Sequence, residues 1–96
     1  MLRKKEILET LFTHTDELNK RFSVIKIGLV GSHVRDEALP ESDIDLLVEF
    51  AHPTFDNYMD LKFYLEDIFH ETVDIVLSDA LKPRLISYVN AEVVYA

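Results

Sequence analysis

The sequence predicts an α/β (α+β) fold, a small β-sheet covered by helices, and three observations lead there. Short apolar runs rich in β-branched residues recur at Val24 to Val30, Ile44 to Phe50 and Thr72 to Leu77. Before and between them lie stretches whose apolar residues return every third or fourth position, the period of a helix face. The changes of period fall at chain punctuation: Gly31-Ser32, Pro40, Pro53 and Pro83. The resulting order is α-β-α-β-α-β-α, helices packed on a sheet.

Residues 3 to 21 read as one amphipathic helix. Ile7, Leu8, Leu11, Phe12, Leu18 and the terminal Phe22 fall on one arc, opposite Glu6, Glu9, Thr13 and Lys20. Its expected role is to cover a face of the sheet. The first strand follows. Residues 32 to 38 are expected to form a short helix capped by Ser32, ended by the Leu39-Pro40-Glu41-Ser42 turn, because proline cannot continue it. After the second strand and the Pro53 loop, Asp56 is positioned to cap a helix reaching about His70. Tyr58, Leu61, Leu65, Ile68 and Phe69 share its core face, whereas Met59 and Phe63 point elsewhere as an i,i+4 pair, either a second core contact or a partner surface. Past the third strand, Asp79 and Pro83 start a last helix on which Leu81, Leu85 and Val89 repeat. Val93-Val94-Tyr95 suits a short terminal strand.

Ninety-six residues suit a single domain, 1–96, with a modest core. A net charge of −8 argues against a broad surface for the phosphate backbone of nucleic acid, and so against a direct nucleic-acid partner. With no cysteine there is neither a disulfide nor thiolate chemistry. No apolar run approaches the ~20 residues of a membrane span. A soluble, cytoplasmic protein without a membrane partner is expected.

The chemistry-bearing residues gather between 28 and 50. Gly31 lets the backbone turn sharply and approach a ligand closely. Ser32 stands where a helix begins, and free N–H groups there suit an anion. Ten residues separate Ser32 from Asp43-Ile44-Asp45. In a strand, Asp43 and Asp45 share a face while Ile44, Leu46 and Val48 cover the other. Paired carboxylates repel, and a hard divalent cation such as Mg²⁺ is the usual remedy. Their alternative role is solvated punctuation after the Pro40 turn. An anion cradle beside a carboxylate pair suggests a nucleoside triphosphate with its metals. Arg35, a turn beyond the cradle, either contacts phosphate or pairs with Asp36 or Glu37. Asp74, alone among apolar neighbours in the third strand, must be solvated or paired. The four histidines, His14, His33, His52 and His70, are too scattered for a zinc site, and His33 is expected at the surface.

Gly31-Ser32, ten residues, then Asp43-Ile44-Asp45 resembles the signature of the DNA polymerase beta-like nucleotidyltransferases. With Val34-Arg35, Glu37-Ala38, Ser42 to Val48, Val73 to Val76 and Asp79 to Leu85, most of the chain resembles the minimal nucleotidyltransferases (MNT), small antitoxins paired with HEPN-domain toxins. It departs at Asp36, where relatives often carry glycine, and at His33 and Val34. The resemblance implies a nucleotidyltransferase fold whose first two strands are antiparallel, making the sheet mixed. It implies Asp43, Asp45 and Asp74 as metal-binding, catalytic carboxylates for two Mg²⁺ ions, and Gly31, Ser32 and Arg35 as the ATP site. The implied reaction is transfer of AMP from ATP to a tyrosine hydroxyl of a HEPN toxin, the two proteins forming a hetero-oligomer. A non-catalytic antitoxin with a vestigial nucleotide site is the alternative. A small-molecule nucleotidyltransferase is disfavoured, since no residues remain to build an acceptor domain.

Overall fold

In the computed structural model, residues 2–34, 42–78 and 93–96 are described. They form α1 (Lys4–Thr13), α2 (Thr15–Phe22), β1 (Val24–Val30), a single 3₁₀ turn (Gly31–His33), β2 (Ile44–Phe50), α3 (Phe55–Phe69), β3 (Val73–Leu77) and β4 (Val94–Tyr95). The strands make one sheet in the order β3-β2-β1-β4. β1 runs antiparallel to β2 and to β4, and β2 runs parallel to β3, so the sheet is mixed.

The helix expected over residues 3 to 21 is two helices. It breaks at His14, which ends α1 and begins α2. Threonine hydroxyls account for the break, because they compete with backbone amides for helix carbonyls. Thr15 Oγ1 donates to the carbonyls of Leu11 and Phe12, Thr13 Oγ1 to that of Glu9, and His14 Nδ1 lies 2.7 Å from the Thr10 carbonyl. The break also splits the predicted arc: Ile7, Leu11, Leu18 and Phe22 are buried, whereas Phe12 is 74% exposed.

The core lies between the helices and one face of the sheet. Ile27 and Leu29 of β1, Ile44, Leu46 and Val48 of β2, and Val73 and Ile75 of β3 meet Leu61, Leu65 and Phe69 of α3 there, as the alternation of each strand requires. Tyr58 and Ile68 pack against this core; Phe63 is 58% exposed. Thr54, not Asp56, caps α3, its side-chain oxygen accepting the Asn57 N–H at 3.1 Å. The predicted helix after Asp79, and most of the segment from Arg35 to Ser42, lie outside the described residues.

Candidate active site

The other face of the sheet carries the acidic residues. Strand register sets Val30 opposite Asp45, and Asp45 opposite Asp74, so the three form one lateral row across β1, β2 and β3. Parallel neighbours in one row sit about 4.8 Å apart along the hydrogen-bonding direction. Asp45 and Asp74 are therefore side by side. Asp43 lies one residue ahead of β2 and is exposed, as is Asp74, whereas Asp45 is half-buried.

Gly31 follows the row directly and turns the chain with φ +81°. In that left-handed region a side chain is strained, and here it would also collide: a Cβ on Gly31 would lie 2.5 Å from Asp45 Oδ2. The glycine therefore does two things, of which its position predicted the first. It permits the turn, and it lets backbone come against an acidic side chain that any other residue would displace.

Ser32 sits within the 3₁₀ turn, half-buried, and most of the helix that it was expected to cap lies outside the described residues. His33 departs from expectation. It is 2% exposed, and neither ring nitrogen has a hydrogen-bond partner among the described residues. Its apolar neighbours in sequence, Val30 and Val34, were the available signal that this stretch turns inward. Arg35 and Asp36 lie outside the described residues.

Oxygen-only donors on neighbouring strands are the chemistry that a hard divalent cation takes. Among the described residues, however, no three His, Cys, Asp or Glu side chains converge closely enough to hold an ion. The row of Asp45 and Asp74 with Asp43 nearby thus fits Mg²⁺ by donor type and strand position, with the side chains still to draw together.

A pair of side chains that sequence reasoning passed over lies beside Asp74. Glu66 on α3 accepts the Val73 N–H at 2.9 Å, and Lys62, one turn earlier, donates to the Val73 carbonyl and to Glu66 at 3.2 Å. The Val73 N–H, then Lys62, hold the Glu66 carboxyl below its ordinary pKa against the opposing effect of burial. An i,i+4 Lys–Glu pair is ordinary helix chemistry, and nothing in the sequence says that its target is the backbone before Asp74.

Comparison with known proteins follows the same lines. The nucleotidyltransferase domain family matches residues 12–95. Protein adenylyltransferase MntA of Thermococcus cleftensis is 42% identical over 96 residues, covering 99% of this chain and 97% of that one. A candidate minimal nucleotidyltransferase of solved structure superposes with a TM-score of 0.74 at 35% identity, covering 91% of this chain and 93% of the other. One chain of a solved complex of tri-AMPylated Shewanella oneidensis HEPN toxin with MNT antitoxin shares the fold at a TM-score of 0.63. It is 19% identical, and the match covers 92% of this chain and 70% of that one. Family match, near-full-length similarity and superposition agree: this chain belongs to the nucleotidyltransferase domain family, as a minimal nucleotidyltransferase.

Proposed function

We propose that this protein is the antitoxin of a HEPN/MNT pair and transfers AMP from ATP to a tyrosine hydroxyl of its HEPN-domain toxin. The observation that carries the reading is the lateral row Val30–Asp45–Asp74 with Gly31 closed down on Asp45. It sets a sharp backbone turn, where a triphosphate would lie, against the carboxylates of the reaction. Near-full-length similarity to an MntA protein adenylyltransferase supports a protein acceptor. So does the charge of −8, which attracts a basic RNA-cleaving partner and speeds encounter.

In this reading Asp43, Asp45 and Asp74 are the residues that would hold Mg²⁺, as two ions. When bound, such ions neutralise phosphate charge and make an acceptor hydroxyl more acidic. The rest is work for the chain. Gly31 and Ser32, with Arg35, orient the triphosphate so that its α-phosphorus faces the acceptor. An Asp74 carboxylate oxygen takes the tyrosine proton; the phenolate oxygen bonds to the α-phosphorus, the bond to the β-phosphate oxygen breaks, and pyrophosphate leaves. Catalysis of this kind is positioning and charge neutralisation, and it needs no covalent group from the protein.

The test is to incubate the chain with the HEPN protein of the adjacent reading frame, ATP and Mg²⁺, and to weigh that protein intact. One or more added AMP units, absent with Asp43→Asn, are expected. A toxin neutralised without mass change, and equally well by the variant, would establish the non-catalytic alternative.

A further inference from the structure

β3 is an edge strand, and one of the carboxylates rides on it. Its inner side is tied to β2: the Ile44 N–H donates to the Thr72 carbonyl at 2.9 Å, and register continues through Asp45 and Asp74. Peptide groups alternate direction along a strand, so those of Thr72 face β2 and those of Val73 face outward, where the described residues form no further strand. Unpaired groups on a sheet edge fray or recruit other chains. Here both are taken. Glu66 accepts the Val73 N–H, and Lys62 donates to the Val73 carbonyl while bonding to Glu66.

Glu66 has no reason of its own to sit where it does. It lies in the last turn of α3, which holds no basic residue, and the negative end of the helix dipole disfavours a carboxylate there. What offsets that cost is the bond to Val73. The two side chains are only 25% and 26% exposed, so the contact is better sheltered than an ordinary surface pair. It fixes the backbone immediately before Asp74 from outside while the ladder fixes it from inside.

We propose that Lys62 and Glu66 are positioning residues for Asp74: their clamp on both polar groups of Val73 holds the Asp74 carboxylate in lateral register with Asp45, ready to share a divalent cation. The inference rests on the reading of Asp74 as a metal-binding carboxylate. It assigns to α3 a part in the active site although none of its side chains is in the acidic row.

Two measurements on the intact chain test it: Mn²⁺ affinity in the presence of a non-hydrolysable ATP analogue, and hydrogen exchange of the Asp74 amide. Glu66→Ala is expected to weaken Mn²⁺ binding about tenfold, the scale of lost support behind a metal ligand, and to speed Asp74 exchange by a similar factor. Glu66→Gln keeps an acceptor oxygen and should restore both to within about twofold of the native chain. Adding Asp74→Asn to Glu66→Ala should cost no more Mn²⁺ affinity than Asp74→Asn alone, because the two act through one group. Glu17→Ala, which breaks the α2 ion pair with Arg21 and the Tyr64 hydrogen bond but makes no contact with Val73, is the control for lost stability. Native Mn²⁺ affinity and native Asp74 exchange in Glu66→Ala overturn the proposal, and so do losses that Glu17→Ala reproduces. If Asp74→Asn itself binds Mn²⁺ normally, the proposal falls with its premise. Accelerated exchange in Glu66→Ala would then show that the carboxylate assignment failed and not the clamp.

Discussion

Gly31 and Asp45 are in contact so close that no side chain fits between them, a Cβ on the glycine falling 2.5 Å from Oδ2 and 3.3 Å from both Cβ and Cγ of the aspartate. The turn at Gly31 and the acidic row are therefore one object. A change on either side moves the other.

Gly31→Val should accordingly fail twice. A β-branched residue at φ +81° is strained by roughly 1–2 kcal/mol, before any displacement of Asp45 is counted. A lower melting temperature and loss of ATP binding by calorimetry in Mg²⁺ are expected. Ser32→Ala, which leaves the glycine turn intact, should cost less than Gly31→Val in both readouts. Native nucleotide affinity in the Gly31 variant would disprove the cradle.

Asp45 and Asp74, opposite one another on neighbouring strands, repel when no cation is present. Removing one charge should relieve about 0.2–1 kcal/mol, so Asp74→Asn is expected to melt slightly above the native chain without metal. Mg²⁺ should raise the melting temperature of the native protein, since it binds the folded state alone, and should move the variant far less. Equal shifts in the two proteins would contradict a shared site.

Acid should weaken the α3–β3 junction once Glu66 is protonated. The Val73 N–H and Lys62 lower the Glu66 pKa in the folded state below its ordinary value of 4.5. The unfolded chain thus binds a proton at higher pH than the folded one. The stability contributed by Glu66 is complete above about 4.5 and is lost as pH falls through the lowered folded value. Glu66→Gln should flatten that part of the acid limb in pH-dependent melting; an unchanged limb would count against the contact.

The opposite limb belongs to Tyr64. Burial first, and then its hydrogen bond to Glu17, push the phenol from 10.0 up to about 12. Because the folded pKa is raised, this contribution is present below pH 10 and disappears as pH climbs toward about 12. Tyr64→Phe should remove a tyrosine step at about 12 from an ultraviolet titration and the corresponding loss of stability in alkali.

His33 buries two ring nitrogens, without partners among the described residues, in the turn that carries Gly31. A buried polar group with no hydrogen bond is costly, while an apolar group of similar volume is not. His33→Leu is expected to stabilise the chain by about 1 kcal/mol. A drop in melting temperature would show that the imidazole earns its place by some contact made on ligand binding or in solution.

The sequence by itself determined the types of the described strands and of α3, the faces of the strands and the place of Asp45 on β2. Alternation in Ile44 to Phe50 requires Ile44, Leu46 and Val48 to be buried and Asp45 to face away, and a Gly-Ser pair ending an apolar run requires a turn. Those are properties of a few consecutive residues, so local periodicity decides them. The break at His14 was not legible, because the Thr13 and Thr15 hydroxyls compete with the helix at positions that an apolar arc does not weigh. The turn of His33 into the interior, Thr54 as the cap of α3, and the grip of Lys62 and Glu66 on Val73 were decided only by tertiary structure. Each depends on which of two nearly equivalent local choices the rest of the chain meets. Register across strands is the clearest case: that Asp45 stands beside Asp74, 29 residues on, follows from parallel pairing of β2 with β3, which no single strand encodes.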